Sequence, residues 1–252
     1  MKQQSTQEIS LVSYFRLRRI VGILGVALPI VLMVWGFALS GWSLNLQNSI
    51  SDYYSLRTRD ALVGILFAIA WFLCTYKGYE TIDDIAGYMA CLFALGVAFF
   101  PNSGGNWERI VHFSSAAGLF LTLSFFSLFL FTKTVESPKG LHGTLSSFRF
   151  GVIKSSDPRK LQKKIRNRVY VACGLIMLAC MVLTGLYYSL WKDTTISTIK
   201  PVFWLESFMI WAFGISWFIK GETLWQDKKI YSERDRLVYS QIVGNNHSFR
   251  II

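Results

Sequence analysis

Apolar and polar positions alternate along this chain in long blocks rather than in short periods. Residues 20–42, 61–76, 85–100, 110–132, 169–191 and 202–219 form six apolar runs that are nearly free of charge. None shows the period-two alternation of a membrane β-barrel strand. As helices rising about 1.5 Å per residue, the longer runs cover the roughly 30 Å hydrocarbon core of a bilayer. The second and third are short and must borrow flanking residues. A buried helix of a soluble domain is the rival reading for either one alone, but not for six in so short a chain. The pattern predicts an all-α, polytopic integral membrane protein with six transmembrane helices in a bundle. The first run is preceded by about nineteen residues and is longer than a signal-peptide core, so it is expected to stay as the first span.

Composition agrees, with 52% of residues hydrophobic and 16% charged in 252 residues. A soluble domain carries closer to a quarter charged. The net charge of +11 would suit a nucleic-acid binder, yet its placement points to topology instead. If the first run starts in the cytoplasm, only Arg57, Arg59, Arg109, Lys192 and Lys200 fall outside, and the remaining 21 of 26 basic residues fall inside. This bias predicts both termini inside, in the inner membrane of a bacterium. The expected divisions are a cytoplasmic segment 1–19, a transmembrane domain 20–220 with a basic cytoplasmic loop at 133–168, and a cytoplasmic tail 221–252. Within the loop, "SSDPRKLQKKIRNR" has a capping Ser156 or Asp157 ahead of Pro158, a helix start. Its basic residues 159–168 are expected at anionic inner-leaflet headgroups. Membrane lipids are thus the expected partners, nucleic acid is not, and the sequence names no protein partner. The four cysteines, Cys74, Cys91, Cys173 and Cys180, all lie inside apolar runs and read as packing residues.

The polar positions left over gather on the non-cytoplasmic side. "SISDYYSLRTRD", residues 49–60, joins the first two runs. It offers Ser51, Asp52 and Asp60, with Arg57 and Arg59 as handles for an anion. Tyr53, Tyr54 and Trp42 read as anchors at the membrane interface. His112 and Ser115 share a face near the outer end of the fourth run. Glu206 sits about one turn inside the sixth, where an isolated carboxylate is costly and needs a partner. His112, Arg57 and Arg59 are the partners expected for it. Asp60 also suits a plain role at a helix N-terminus, and Gly64 would allow close approach of a helix or ligand.

Ser51, Asp52, Arg57, Arg59, Asp60, His112, Ser115 and Glu206 therefore make the candidate ligand-binding set. Asp52, His112 and Glu206 are the candidates for acid–base chemistry. Asp52, Asp60, His112 and Glu206 are candidates for a divalent metal. No HExxH, GxSxG, CxxC or phosphate-binding glycine loop narrows the choice. A Ser51–His112–Asp triad has no support from spacing alone.

"SISD" before the second run and "VHFSSAAG" opening the fourth resemble short motifs of the Frag1/DRAM/Sfk1 and DUF998-like group of six-span membrane proteins. "ALGVAFFP" fits the close of that group's third span. "DYYSLRTRD" departs from the glycine-containing continuation common in its eukaryotic members. The resemblance implies an outer-face site around Ser51, Asp52 and His112, with lipid headgroups among its ligands. A remoter likeness to alkaline ceramidase-type hydrolases fails on the three-histidine zinc set, which this chain lacks. The leading expectation is a non-cytoplasmic polar pocket for a lipid headgroup or small amphiphile. A metal-assisted lipid hydrolase or transferase, a structural subunit without ligand and a transporter stay open as alternatives.

Overall fold

In the computed structural model of the chain, residues 2–39, 46–77, 81–132, 158–191 and 195–221 are described. The basic loop before Pro158, the tail beyond Gly221, Trp42 and Lys192 lie outside them. Six long helices account for most of the described residues, confirming an all-α polytopic membrane bundle: α1 Lys2–Leu39, α2 Arg59–Cys74, α3 Thr81–Phe99, α4 Asn106–Phe125, α5 Pro158–Leu186 and α6 Pro201–Lys220. Short π-helical turns extend α4 through Phe126–Leu130 and α5 through Tyr187–Trp191. Five of the six are long and apolar enough to cross a bilayer. The exception is α2, whose 16 residues reach about 24 Å at 1.5 Å per residue.

The first helix starts well before its apolar run. No proline or glycine occurs between Lys2 and Val21, so nothing interrupts the backbone ladder there, and α1 is continuous from Lys2. α5 likewise runs from Pro158 through its basic stretch into the apolar run. Proline suits a first helical turn because its missing N–H would have no partner there anyway.

Each helix packs on its neighbours in the sequence, and α6 closes back on α1. The α1–α6 seam depends on glycine. A Cβ on Gly22 would sit 2.5 Å from the Phe218 amide nitrogen, and one on Gly214 would sit 2.7 Å from that of Val26. Such small residues let helix backbones approach where no hydrophobic effect drives association. The α3–α4 seam works similarly, with Gly96 against Ser115 and Gly118 against the Phe93 ring. Gly64, expected to allow close approach, has open space around its Cα instead. It faces out of the bundle. The cysteines are all free, and Cys91, Cys173 and Cys180 are buried.

The two ends of the bundle are built differently. At one end Trp217 is ringed by Tyr76, Phe126, Phe131 and Phe213, with ring centroids 5.2–6.1 Å away. Arg18 lies over the Tyr76 ring at 5.3 Å and Lys220 over Phe131 at 5.2 Å, cation–π contacts that cover this aromatic floor. Nearby, Lys77 pairs with Asp84 at 2.9 Å. That hydrogen bond holds the exposed Lys77 ammonium above its ordinary pKa. The other end carries the α1–α2, α3–α4 and α5–α6 connections and nearly all the candidate polar residues.

Candidate functional site

The segment from Asn48 to Ser55 folds inward over this second end. Residues Ser51–Ser55 form one 3-10 turn, and the chain on either side is tied to several helices. Asn48 meets α6 twice. Its carbonyl accepts from the Phe203 amide at 2.9 Å, and its side-chain oxygen accepts from Lys200 Nζ at 2.6 Å. Lys200 has φ 54° and ψ 54°, the left-handed region that non-glycine residues rarely occupy. The following Pro201 disfavours the right-handed helical region at that position.

Glu206 finds its partner in the same segment. Its Oε2 accepts from the Ile50 amide at 2.6 Å. Its expected partners were His112, Arg57 or Arg59, but among the described residues no cation pairs with it. The reason is local. The first amides of a helical turn have no partner inside the turn, and the Ser51–Ser55 turn opens toward α6. A carboxylate from α6 satisfies the Ile50 amide at the head of this turn as a side-chain cap would. The tie runs from helix to backbone rather than from helix to helix.

His112 is 2% exposed and fully engaged. Nδ1 lies 2.7 Å from the Phe100 carbonyl, and Nε2 lies 3.0 Å from Ser51 Oγ. A carbonyl oxygen only accepts, so Nδ1 carries the proton in the neutral ring, and Nε2 accepts from the Ser51 hydroxyl. "SISD" and "VHFSSAAG" thus meet through one hydrogen bond, although 61 residues separate the two atoms' positions.

The other candidates disperse. Asp52 Oδ1 accepts from Asn102 Nδ2 at 2.5 Å, which holds the α3–α4 loop to the turn, and Ser55 and Ser103 share a hydroxyl bond at 3.0 Å. Ser115, one turn along α4 from His112, packs into the gap at Gly96. Arg57, Arg59 and Asp60 are exposed. Arg59 lies over the Tyr54 ring at 4.7 Å and donates to its hydroxyl at 3.2 Å. Asp60 occupies the first turn of α2, where its charge meets the positive end of the helix. Among the described residues no three His, Cys, Asp or Glu side chains converge to hold a metal.

Tyr53 and Tyr54 depart from the anchoring role expected of them. Both are buried, at 2% and 9% exposure. Tyr53 packs on the Gly36 face of α1 and against Phe203, and burial pushes its phenol above the ordinary tyrosine pKa. Tyr54 donates to the Phe99 carbonyl at 3.3 Å. They are core residues because the segment turns into the bundle rather than lying on it.

Beneath the segment lies a cavity of about 70 Å³. Its walls are Leu28 of α1, Leu62 and Leu66 of α2, Val97 of α3 and Ile210 of α6. It extends along α4 from His112 to Leu123, eleven residues or about 16 Å. Its only polar linings are Ser51, His112 and Glu206, all at the end under the folded segment. Tyr188, in the turn that extends α5, lies within electrostatic reach of Glu206, Asp52 and Arg109. The sequence pointed to the three polar linings one by one. It carried no signal for the apolar body of the cavity, whose walls are ordinary hydrophobic positions of five helices.

Compared with protein-family models, curated proteins and solved structures, the chain matches none of them.

Proposed function

We propose that this protein binds a single-chain amphiphile, with the apolar chain in the central cavity and the polar group at Ser51, His112 and Glu206. One observation carries the reading: a narrow apolar cavity ends on three polar side chains from three different parts of the fold. Ligand sites are mostly apolar, with a few convergent polar groups that fix orientation. An acyl chain matches the walls, and a hydroxyl, ester or similar group matches the end.

The reading includes six spans, both termini in the cytoplasm of a bacterial cell and the site on the opposite side of the inner membrane. The basic start of α5, with Lys163, Lys164, Arg166 and Arg168, would then lie among anionic inner-leaflet headgroups. Arg57 and Arg59, exposed beside the segment, are placed to meet an anionic headgroup at the membrane surface. The motifs that resemble the Frag1/DRAM/Sfk1 group coincide with this site, which favours the same lipid reading.

Binding is tested with the full-length protein in mild detergent and a fluorescent long-chain fatty acid as probe. Ala116 lines the cavity, so Ala116→Phe is expected to block it and weaken binding roughly tenfold or more, about 1.4 kcal/mol. Unchanged affinity in a folded Ala116→Phe protein would overturn the reading. Orientation is tested separately with a membrane-impermeant maleimide on intact spheroplasts. Ser55→Cys should label at once, and Lys163→Cys only after permeabilisation. The reverse pattern would place the site in the cytoplasm.

A further inference from the structure

We infer that Ser51 is an acyl-accepting nucleophile and His112 its general base, so that the bound amphiphile is an acyl ester and the site transfers its acyl group. The inference rests on the cavity being a lipid site, and it adds chemistry to that binding.

Three features of the site support it. The first is the proton arrangement. Phe100 fixes the proton on Nδ1, which leaves the Nε2 lone pair facing Ser51 Oγ at 3.0 Å. This is the nucleophile–base–orienter order that activates a serine hydroxyl, with a backbone carbonyl as the orienting group. The second is position. Both side chains line the polar end of the cavity, so a chain lying along α4 would bring its first carbons to Ser51. The third is rigidity. On one side of Ser51 the Ile50 amide is held from α6 by Glu206, and on the other Asp52 is held by Asn102. A hydroxyl serving only to hold helices together would not need a cavity in front of it.

The chemistry balances without an oxidant or a metal. Ser51 Oγ attacks the ester carbonyl carbon, and its proton passes to His112 Nε2 as the new C–O bond forms. The tetrahedral adduct collapses, its bond to the leaving oxygen breaks, and that oxygen takes the proton from His112 and departs as an alcohol. Water or a second alcohol then attacks the acyl-serine. Its proton goes to His112, its oxygen joins the acyl carbon, and Ser51 leaves with the proton restored. Water gives a free fatty acid, and an alcohol gives a new ester.

Glu206 limits the rate. The Ile50 amide, next to Ser51 in the chain, is engaged by its carboxylate. It is not free to hold an oxyanion, and loss of a single oxyanion donor slows serine hydrolases by roughly 10²–10³. Covalent capture is therefore a surer readout than turnover.

The test uses full-length protein in mild detergent and a long-chain alkyl fluorophosphonate, with adduct sites mapped by peptide mass spectrometry. The expected result is a single adduct on Ser51, absent in Ser51→Ala, in a parent protein that binds the fluorescent fatty acid. His112→Gln should slow labelling at least 100-fold, since a general base contributes roughly 10²–10⁴. If His112→Gln does not fold, the Ser51 adduct and its protection by a competing fatty acid decide the matter alone. No adduct on Ser51, or equal labelling of every serine, with fatty-acid binding intact overturns the acyl-transfer inference and leaves the binding reading standing. Loss of both probes in the folded protein overturns both.

Discussion

Gly22→Leu is expected to abolish the folded bundle, so that little monodisperse protein survives extraction in mild detergent. The added Cβ would meet the Phe218 amide nitrogen at 2.5 Å and the Gly214 carbonyl oxygen at 2.7 Å. These are backbone atoms of α6, so no rotamer change relieves the clash, and α1 and α6 must separate. Overpacking a core that can shift its side chains typically costs 1–3 kcal/mol; a rigid backbone neighbour puts this case above that range. Gly64→Ala is the contrasting control. It meets nothing within 4 Å, and replacing glycine by alanine inside a helix gains up to about 1 kcal/mol. A thermal melt should therefore show Gly64→Ala at or above the parent. Equal melting of Gly22→Leu and the parent would mean that the α1–α6 seam is not closed as described.

Glu206→Leu is expected to be the second most damaging change. It removes the acceptor for the Ile50 amide. A buried polar group left without a partner costs about 1–3 kcal/mol where water cannot enter. Water reaching the loosened segment would bring the loss toward the lower figure. Glu206→Gln keeps an acceptor oxygen and should recover much of the stability while losing the charge-assisted part of the bond. The comparison is read from melting temperatures in one detergent. If the leucine variant melted with the parent, Glu206 would not be the cap of the Ser51–Ser55 turn.

Reading the sequence located the apolar helices well because bilayer thickness imposes one length scale on five of the six. The beginning of α1 escaped because nothing in residues 2–19 is apolar enough to mark a span, yet nothing there breaks a helix either. Glu206 was legible as a carboxylate in need of a partner, but side chains were the only partners the sequence offered. Backbone amides carry no letter in the sequence, so a helix-to-backbone tie could not be foreseen. Tyr53 and Tyr54 illustrate a related limit. Tyrosines beside a span suit the interface, and only the inward fold of their segment makes them core. Ser51 and His112 stood in motifs worth noting, but the hydrogen bond between them needed α3, α4 and the segment placed together. Asp60, Arg57 and Arg59 shared the segment's polarity without sharing its site.

The ties between the folded segment and α6 also bear on how the protein is made. Ile50 and Glu206 are 156 positions apart, which at 5–20 residues per second corresponds to roughly 10–30 s of translation. Throughout that interval the amide of Ile50 and the carbonyl of Asn48 lack their final partners. The nascent chain must keep them hydrated until α6 joins the bundle. A chain ending before α6 would thus leave this segment untied.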